Sequence, residues 1–259
     1  MTRLPCRRKT VPVLRGILLV FAVTFASSHR LGAQWPNGLT VDQTPHNLTR
    51  PASSPDPEMA GRIRNYGEPC VYCHTSHGGP SWTGSPRAPL FNRNRPNAAY
   101  RMPAFSGQQM LQDASPSDRS RLCLSCHGGT IGLDNITNLP NTYSGPGAAN
   151  RTIDECEDCH SGGNPAGGLD WEGVWFREDM RKQHPFSVLY DPARRPGQFQ
   201  TAIGGSVNGL PLVNGKVECV TCHEPHSQRY RYFLRASNVG NALCLRCHSA
   251  VPSSPVHSN

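Results

Sequence analysis

Hydrophobic residues are scarce in this chain of 259 residues. They account for 36% of the sequence, while 25 Gly and 24 Pro favour loops over packed elements. A composition of this kind makes a poor protein core. We therefore expect something other than amino-acid side chains to supply much of the buried apolar surface.

Long apolar runs are also lacking. The one at 13–25 is shorter than the roughly 20 residues that a membrane span needs, and polar sequence follows it. Four basic residues precede this run and small residues come after it, as in an export signal. We expect residues 1–33 to be a signal peptide, cleaved after Ser28 or Ala33. The protein would then be exported, periplasmic or extracellular, with no transmembrane span.

Lysine is nearly absent beyond residue 33, where only Lys182 and Lys216 occur. The formal charge of the whole chain is +8, but residues 1–33 contain six basic groups and no acid, which leaves +2 for the remainder. This balance is too close to neutral to indicate binding to nucleic acid.

Cysteine, by contrast, is abundant and ordered, because ten of the eleven cysteines lie in five copies of Cys-x-x-Cys-His. The cysteines of these motifs are Cys70, Cys73, Cys123, Cys126, Cys156, Cys159, Cys219, Cys222, Cys244 and Cys247. The histidines that follow them are His74, His127, His160, His223 and His248.

The spacing of this motif suits covalent attachment of c-type haem. Residues i and i+3 share one face of a helical turn, so two thiols can bond one edge of a porphyrin while the next residue, His, reaches the iron. Zinc sites and redox dithiols do not require a His directly after the second Cys. The sequence therefore predicts five covalently bound c-type haems, with the motif histidines as proximal iron ligands.

An internal repeat divides the chain. Residues 70–77 match 219–226, and residues 122–127 match 243–248. The predicted organisation is a signal peptide at 1–33, an N-terminal dihaem module with an extended arm at 34–140, a central single-haem segment at 141–180 and a C-terminal dihaem module at 181–259.

The predicted fold is mostly irregular, with short α-helices and little β-structure, organised around stacked haems. Residues 115–118 have the pattern of a helix start, with Ser115 as N-cap and Pro116 at the first helical position. This helix would carry the second motif. Asn214-Gly215 predicts a hairpin turn within 212–217.

The doubled motif resembles that of multihaem c-type cytochromes related to the class III tetrahaem cytochromes. The resemblance covers 184–250 well and 46–127 more loosely, because the first module has a longer insertion between its motifs. It implies an electron carrier, a subunit of a respiratory complex or an extracellular conductive filament. It also implies that His77 and His226, three residues after a proximal His, each ligate a different haem.

Beyond the leader and the motifs, the chain has five spare histidines: His46, His77, His184, His226 and His257. Five haems and five spare histidines give the balance needed for bis-histidine coordination, which favours electron transfer over binding of small molecules. The methionines that could serve instead are Met59, Met102, Met110 and Met180.

Distance along the chain suggests which spare histidine serves which haem, because a His close to its own proximal site cannot reach the opposite haem face. The resulting pairs are His77 with the Cys123 haem, His226 with the Cys244 haem, His46 with the Cys70 haem, His184 with the Cys219 haem, and His257, or no residue of the same chain, with the Cys156 haem. Exchange of partners within a module stays open.

We predict an electron-transfer protein rather than an enzyme. Its partners would be other redox proteins, such as cytochromes, a quinol-oxidising membrane complex or a terminal reductase, in anaerobic or extracellular respiration. One alternative is a reductase that binds a small oxyanion at an open Cys156 haem. Another is a homo-oligomer or filament, in which His46 or His257 ligates a haem of the neighbouring chain.

Overall fold

A computed structural model describes residues 40–49, 63–80, 90–104, 111–138, 176 and 178–250. Four of the five motifs lie in these ranges. The expected signal peptide, the Cys156 motif with His160, and His257 lie outside them, as do Met59 and Met110.

Regular structure is sparse in these residues. Helix α1 spans Asp118–His127 and α2 spans Cys219–Cys222. Single 3-10 turns occupy Val41–Gln43, Pro69–Tyr72, Met180–Lys182, Pro192–Arg194, Arg231–Phe233, Val239–Asn241 and Cys244–Arg246. The expectation of a mostly irregular chain with short helices and little β-structure is confirmed. None of the helices described is long and apolar enough to cross a membrane.

Four two-residue strands form two small antiparallel sheets. The strands are β1 (Val188–Leu189), β2 (Ser206–Val207), β3 (Leu210–Pro211) and β4 (Lys216–Val217). Strand β1 pairs with β4, so that Val188 lies opposite Val217, and β2 pairs with β3. The β1–β4 pair leads the chain directly into α2 and its motif.

The predicted hairpin turn before α2 is confirmed. Asn214 and Gly215 both have left-handed backbone, with φ of 53° and 76°, as a two-residue hairpin turn requires. Val213 and Lys216 pair across the turn in both directions, at 2.9 and 3.0 Å.

Each motif described forms one helical turn. The His74 amide donates to the Cys70 carbonyl at 2.8 Å, and the amides of His223 and His248 bond the first cysteine of their own motifs in the same way. This turn brings the two cysteines of a motif to the same side of the backbone.

Helix α1 carries the second motif as predicted, but it begins later than the sequence pattern suggests. Ser117, not Ser115, occupies the N-cap position. The Pro116 carbonyl accepts a hydrogen bond from Arg121 Nε at 2.9 Å, and the Ser117 amide donates to Ser187 Oγ at 2.9 Å. One local bond and one long-range bond thus engage the residues that precede the helix.

In the part of the chain that the structure describes, buried hydrophobic residues form three small clusters. The first contains Ile63, Tyr66, Tyr72, Leu133 and Ile136; the second Tyr100, Leu124, Met180 and Phe186; the third Val188, Tyr190, Val207 and Val217. One motif cysteine packs against each cluster: Cys126, Cys219 and Cys247, respectively. Met180 is 1% exposed within the second cluster, and Met102 packs against it. The described hydrophobic core is therefore divided into separate clusters, each of which packs against a different motif.

A buried arginine connects the first motif region to α1. Arg93 is 1% exposed, and its guanidinium donates to the carbonyls of Ser125, Gly132 and Leu133 at 2.7–3.0 Å. All three acceptor residues are buried. The side chain thus satisfies carbonyls that would otherwise lose their hydrogen bonds inside the protein.

We expect Arg93→Met to lower the free energy of unfolding of the holoprotein by about 3 kcal/mol or more, because hydrogen bonds to charged groups contribute ~1.5–3 kcal/mol each and the carbonyls stay buried. Denaturant unfolding followed by visible absorbance measures this. The matched control is Arg95→Met, which removes an exposed ion pair with Asp118 and should cost less than about 1 kcal/mol. Equal losses for the two variants would contradict the role of Arg93.

Candidate functional site

The four described motifs adjoin one another in a fixed order. The Cys73 thiol interacts electrostatically with the Cys126 thiol. A hydrogen bond between the Cys123 and Cys219 thiols raises the pKa of Cys123 and lowers that of Cys219. Among the four motifs that the structure describes, the thiols of the first therefore lie near those of the second, and the thiols of the second near those of the Cys219 motif.

The last contact in this order joins the third and fourth described motifs. Burial is the main cause that raises the pKa of the Cys222 thiol to about 12, and the nearby Cys247 thiol is the second largest. The thiols therefore run from the Cys70 motif through the Cys123 and Cys219 motifs to the Cys244 motif.

Three proximal histidines each lie opposite a spare histidine. The ring centres of His74 and His226 are 6.1 Å apart. Those of His127 and His46 are 6.2 Å apart, and those of His248 and His184 are 6.3 Å apart. Three pairs therefore share nearly the same separation, although their interplanar angles differ widely, at 19°, 65° and 85°.

This separation fits an iron ion between the two rings. A histidine nitrogen lies about 2 Å from a bound metal, so two axial nitrogens are about 4 Å apart, and roughly 1 Å from each nitrogen to its ring centre brings the total to about 6 Å. Rotation about the shared axis leaves this distance unchanged, which accounts for the different interplanar angles. The residues present therefore fit haem iron with two histidine ligands.

The pairs differ from those suggested by distance along the chain. His226 faces His74 of the Cys70 motif rather than the Cys244 motif, and His46 faces His127 rather than His74. The structure thus brings the C-terminal repeat onto the first motif. Sequence separation could not show this, because the partners come together only through long-range packing.

His184 likewise has a different partner from the one expected. It faces His248 of the Cys244 motif, whereas the sequence suggested the Cys219 haem. His77 is exposed beside the first motif, where its carbonyl accepts hydrogen bonds from Thr75 Oγ1 and Asn138 Nδ2 at 2.8 and 2.6 Å.

Several of these histidines donate from Nδ1 and so leave Nε2 for a metal. His46 bonds the Pro225 carbonyl at 2.9 Å, His184 the Pro185 carbonyl at 2.9 Å, and His223 the Tyr232 carbonyl at 2.8 Å. His226 instead bonds a carboxylate oxygen of Glu224 at 2.9 Å. Such bonds fix the tautomer and the orientation of a ligating imidazole.

Burial favours the neutral, metal-binding form of three of the histidines. It lowers the pKa of His46, His74 and His248 below the ordinary value, because a charged imidazolium is disfavoured away from water. His74 Nδ1 is buried and lies toward the Leu90 carbonyl, although no residue in the described ranges meets hydrogen-bond geometry with it.

The loop at 231–233 holds two of the histidines by means of an unusual backbone. Tyr232 and Phe233 both have left-handed backbone, with φ of 60° and 58°, at a cost of about 1–2 kcal/mol per residue. This conformation lets the Tyr232 carbonyl accept from His223, while the Phe233 ring stacks on His46 with ring centres 4.3 Å apart. No sequence signal marks either role, since Gly and Asn are the usual residues in this conformation.

A buried carboxylate joins α1 to α2. Glu218 is 2% exposed and accepts hydrogen bonds from Ser120 and Ser187 at 2.5 and 2.9 Å. Ser120 Oγ also lies 3.3 Å from the amide of Cys219. Glu218 begins α2 in a reciprocal capping arrangement with Thr221. Sequence reasoning missed this junction. A Glu followed by Thr three residues later could have indicated the helix cap, but not the long-range bonds to Ser120 and Ser187.

Comparison with known proteins supports the assignment of the motifs. A family defined by the doubled CXXCH motif matches residues 211–252, which contain the Cys219 and Cys244 motifs. No curated protein matches the chain. The motifs indicate covalent binding of c-type haem, and the family match supports a multihaem c-type cytochrome.

Proposed function

We propose that the protein is a pentahaem electron-transfer cytochrome in which both axial positions of each haem iron are occupied by histidine. Haem iron supplies a reversible change between ferric and ferrous states, one electron at a time. The chain would hold each iron closed to other ligands, so that it exchanges electrons without binding substrate.

The three histidine pairs carry this proposal. An electron carrier needs a strong sixth ligand at each iron, whereas a reductase needs an open position. His226, His46 and His184 stand at the ligand distance from the proximal histidines of three motifs. The remaining spare histidines, His77 and His257, are the candidates for the Cys156 and Cys219 haems.

The order of the thiols supports passage of electrons along the chain. In the haem-bound protein the sulfur of each of these cysteines would bond a porphyrin, so neighbouring cysteines from different motifs would bring their haems close together. The proposed path runs from the Cys70 haem through the Cys123 and Cys219 haems to the Cys244 haem. The Cys123–Cys219 junction, braced by Glu218, would be its central step.

We further propose that the protein is exported to the periplasm or the cell exterior and exchanges electrons with other redox proteins there. The basic and apolar pattern of residues 1–33 supports export. His46 is hydrogen-bonded to Pro225 and stacked on Phe233 of its own chain, which disfavours the filament arrangement that uses His46 as a ligand to a neighbouring chain.

Low-temperature electron paramagnetic resonance of the ferric holoprotein tests this function. We expect low-spin signals from all five haems and none from a high-spin haem, because two histidines give a strong axial field. Haem content determined on the same sample provides the stoichiometry. A high-spin signal equal to one haem would contradict full coordination and would favour the reductase with an open haem.

A further inference from the structure

One proposed iron ligand, His226, donates from its ring to a carboxylate, whereas three other histidines donate to backbone carbonyls. His46, His184 and His223 donate from Nδ1 to backbone carbonyls, whereas His226 donates to the Glu224 carboxylate at 2.9 Å. A carboxylate accepts more strongly than a carbonyl and draws the Nδ1 proton toward itself, which makes the imidazole a stronger metal donor.

Glu224 is held firmly in this position. Its other oxygen accepts from Arg235 Nη1 at 2.6 Å, and its amide donates to the Phe233 carbonyl at 2.7 Å. Arg235 is fixed in turn, since its Nε donates to the Val220 carbonyl at 2.7 Å. The Glu224 side chain is 17% exposed, so solvent weakens its field only in part.

We propose that Glu224 is a positioning residue that lowers the midpoint potential of the Cys70 haem through His226. This inference rests on the proposed function, because it takes His226 as the sixth ligand of that haem. A stronger donor and a nearby negative charge both stabilise ferric iron relative to ferrous iron. Glu224 would thereby make one end of the haem series a low-potential end, from which an electron passes readily to the next haem.

Potentiometric titration of the holoprotein tests the proposal, with the added reductant supplying one electron per ferric haem. Glu224→Gln keeps an oxygen that can accept from His226 but removes the charge, so one component of the titration should shift to higher potential. Arg235→Gln should shift the same component to lower potential, because it removes the cation that offsets Glu224. If Glu224 and Arg235 served only to maintain the structure, both variants would shift the midpoint potential in the same direction.

The control for charge is Asp191→Asn. Asp191 forms a partly buried ion pair with Arg194, so its replacement removes one negative charge without touching a proposed ligand. The component that Glu224→Gln shifts should stay in place. In a His226→Ala background, Glu224→Gln should shift that component far less, since only the direct effect of the carboxylate charge remains once the imidazole is lost.

The outcomes separate this inference from the proposed function. If the wild type has low-spin bis-histidine haems and Glu224→Gln leaves every component in place, the role of Glu224 is wrong while the function stands. A shift that is equally large without His226 also overturns it. If the wild type has no low-spin bis-histidine haem at the Cys70 site, both proposals fall together.

Discussion

Replacing His226 with alanine should convert one haem of the protein, the one at Cys70, from low-spin to high-spin. The His226 ring lies 6.1 Å from that of His74, the separation of two imidazoles on one iron. Its removal leaves the iron with His74 alone, and a five-coordinate haem is high-spin and open to added ligands. One equivalent of haem per chain should then respond, as measured by electron paramagnetic resonance and by carbon monoxide binding to the reduced protein.

Deleting individual haems identifies which one responds. In a Cys70→Ser/Cys73→Ser background, which lacks the first haem, His226→Ala should add no high-spin signal. In a Cys244→Ser/Cys247→Ser background, the signal should appear in full. A signal that appears without the Cys70 haem and disappears without the Cys244 haem would instead support the pairing of His226 with the Cys244 haem, as chain distance suggests. His77→Ala is the comparison variant, because His77 occupies the corresponding position of the first repeat. As a candidate ligand of the Cys156 or Cys219 haem, it should give a high-spin signal that persists in the Cys70→Ser/Cys73→Ser background, unlike that of His226→Ala.

The local features of this site follow from sequence because they depend on neighbouring residues. The Cys-x-x-Cys-His turns need only backbone hydrogen bonds between residues four apart, and the Asn214-Gly215 turn needs two residues that tolerate left-handed backbone. The assignment of these motifs to haem likewise depends on spacing alone. No knowledge of the tertiary packing is required for either inference.

The pairing of histidines could not be predicted because it depends on contacts that span most of the chain. His46 reaches His127 only because Pro225 and Phe233 hold its ring from the far end of the sequence. His226 meets His74 because the C-terminal repeat packs on the first motif. A repeat in the sequence shows that two modules are alike, but it does not show that one module completes the other.

Without haem, the chain should have no cooperative folded state. Among the described residues, the three hydrophobic clusters contain four or five buried residues each, and short helices such as α2 are not stable alone. Structural metal sites in small domains contribute about 10 kcal/mol or more to folding, and porphyrins that also supply apolar surface should have a comparable effect. Protein made without haem attachment, kept reduced, should lack a thermal transition by circular dichroism, whereas the holoprotein should show one.

Removing single haems tests the same principle without losing the whole fold. Cys123→Ser/Cys126→Ser should destabilise the protein more than Cys244→Ser/Cys247→Ser. The Cys123 motif contributes to two clusters, through Cys126 in the first and Leu124 in the second. The Cys244 motif contributes to the third through Cys247. Denaturant midpoints of the two variants measure the difference. A cooperative transition in the haem-free chain, or equal midpoints for both deletions, would mean that side-chain packing rather than haem holds these clusters together.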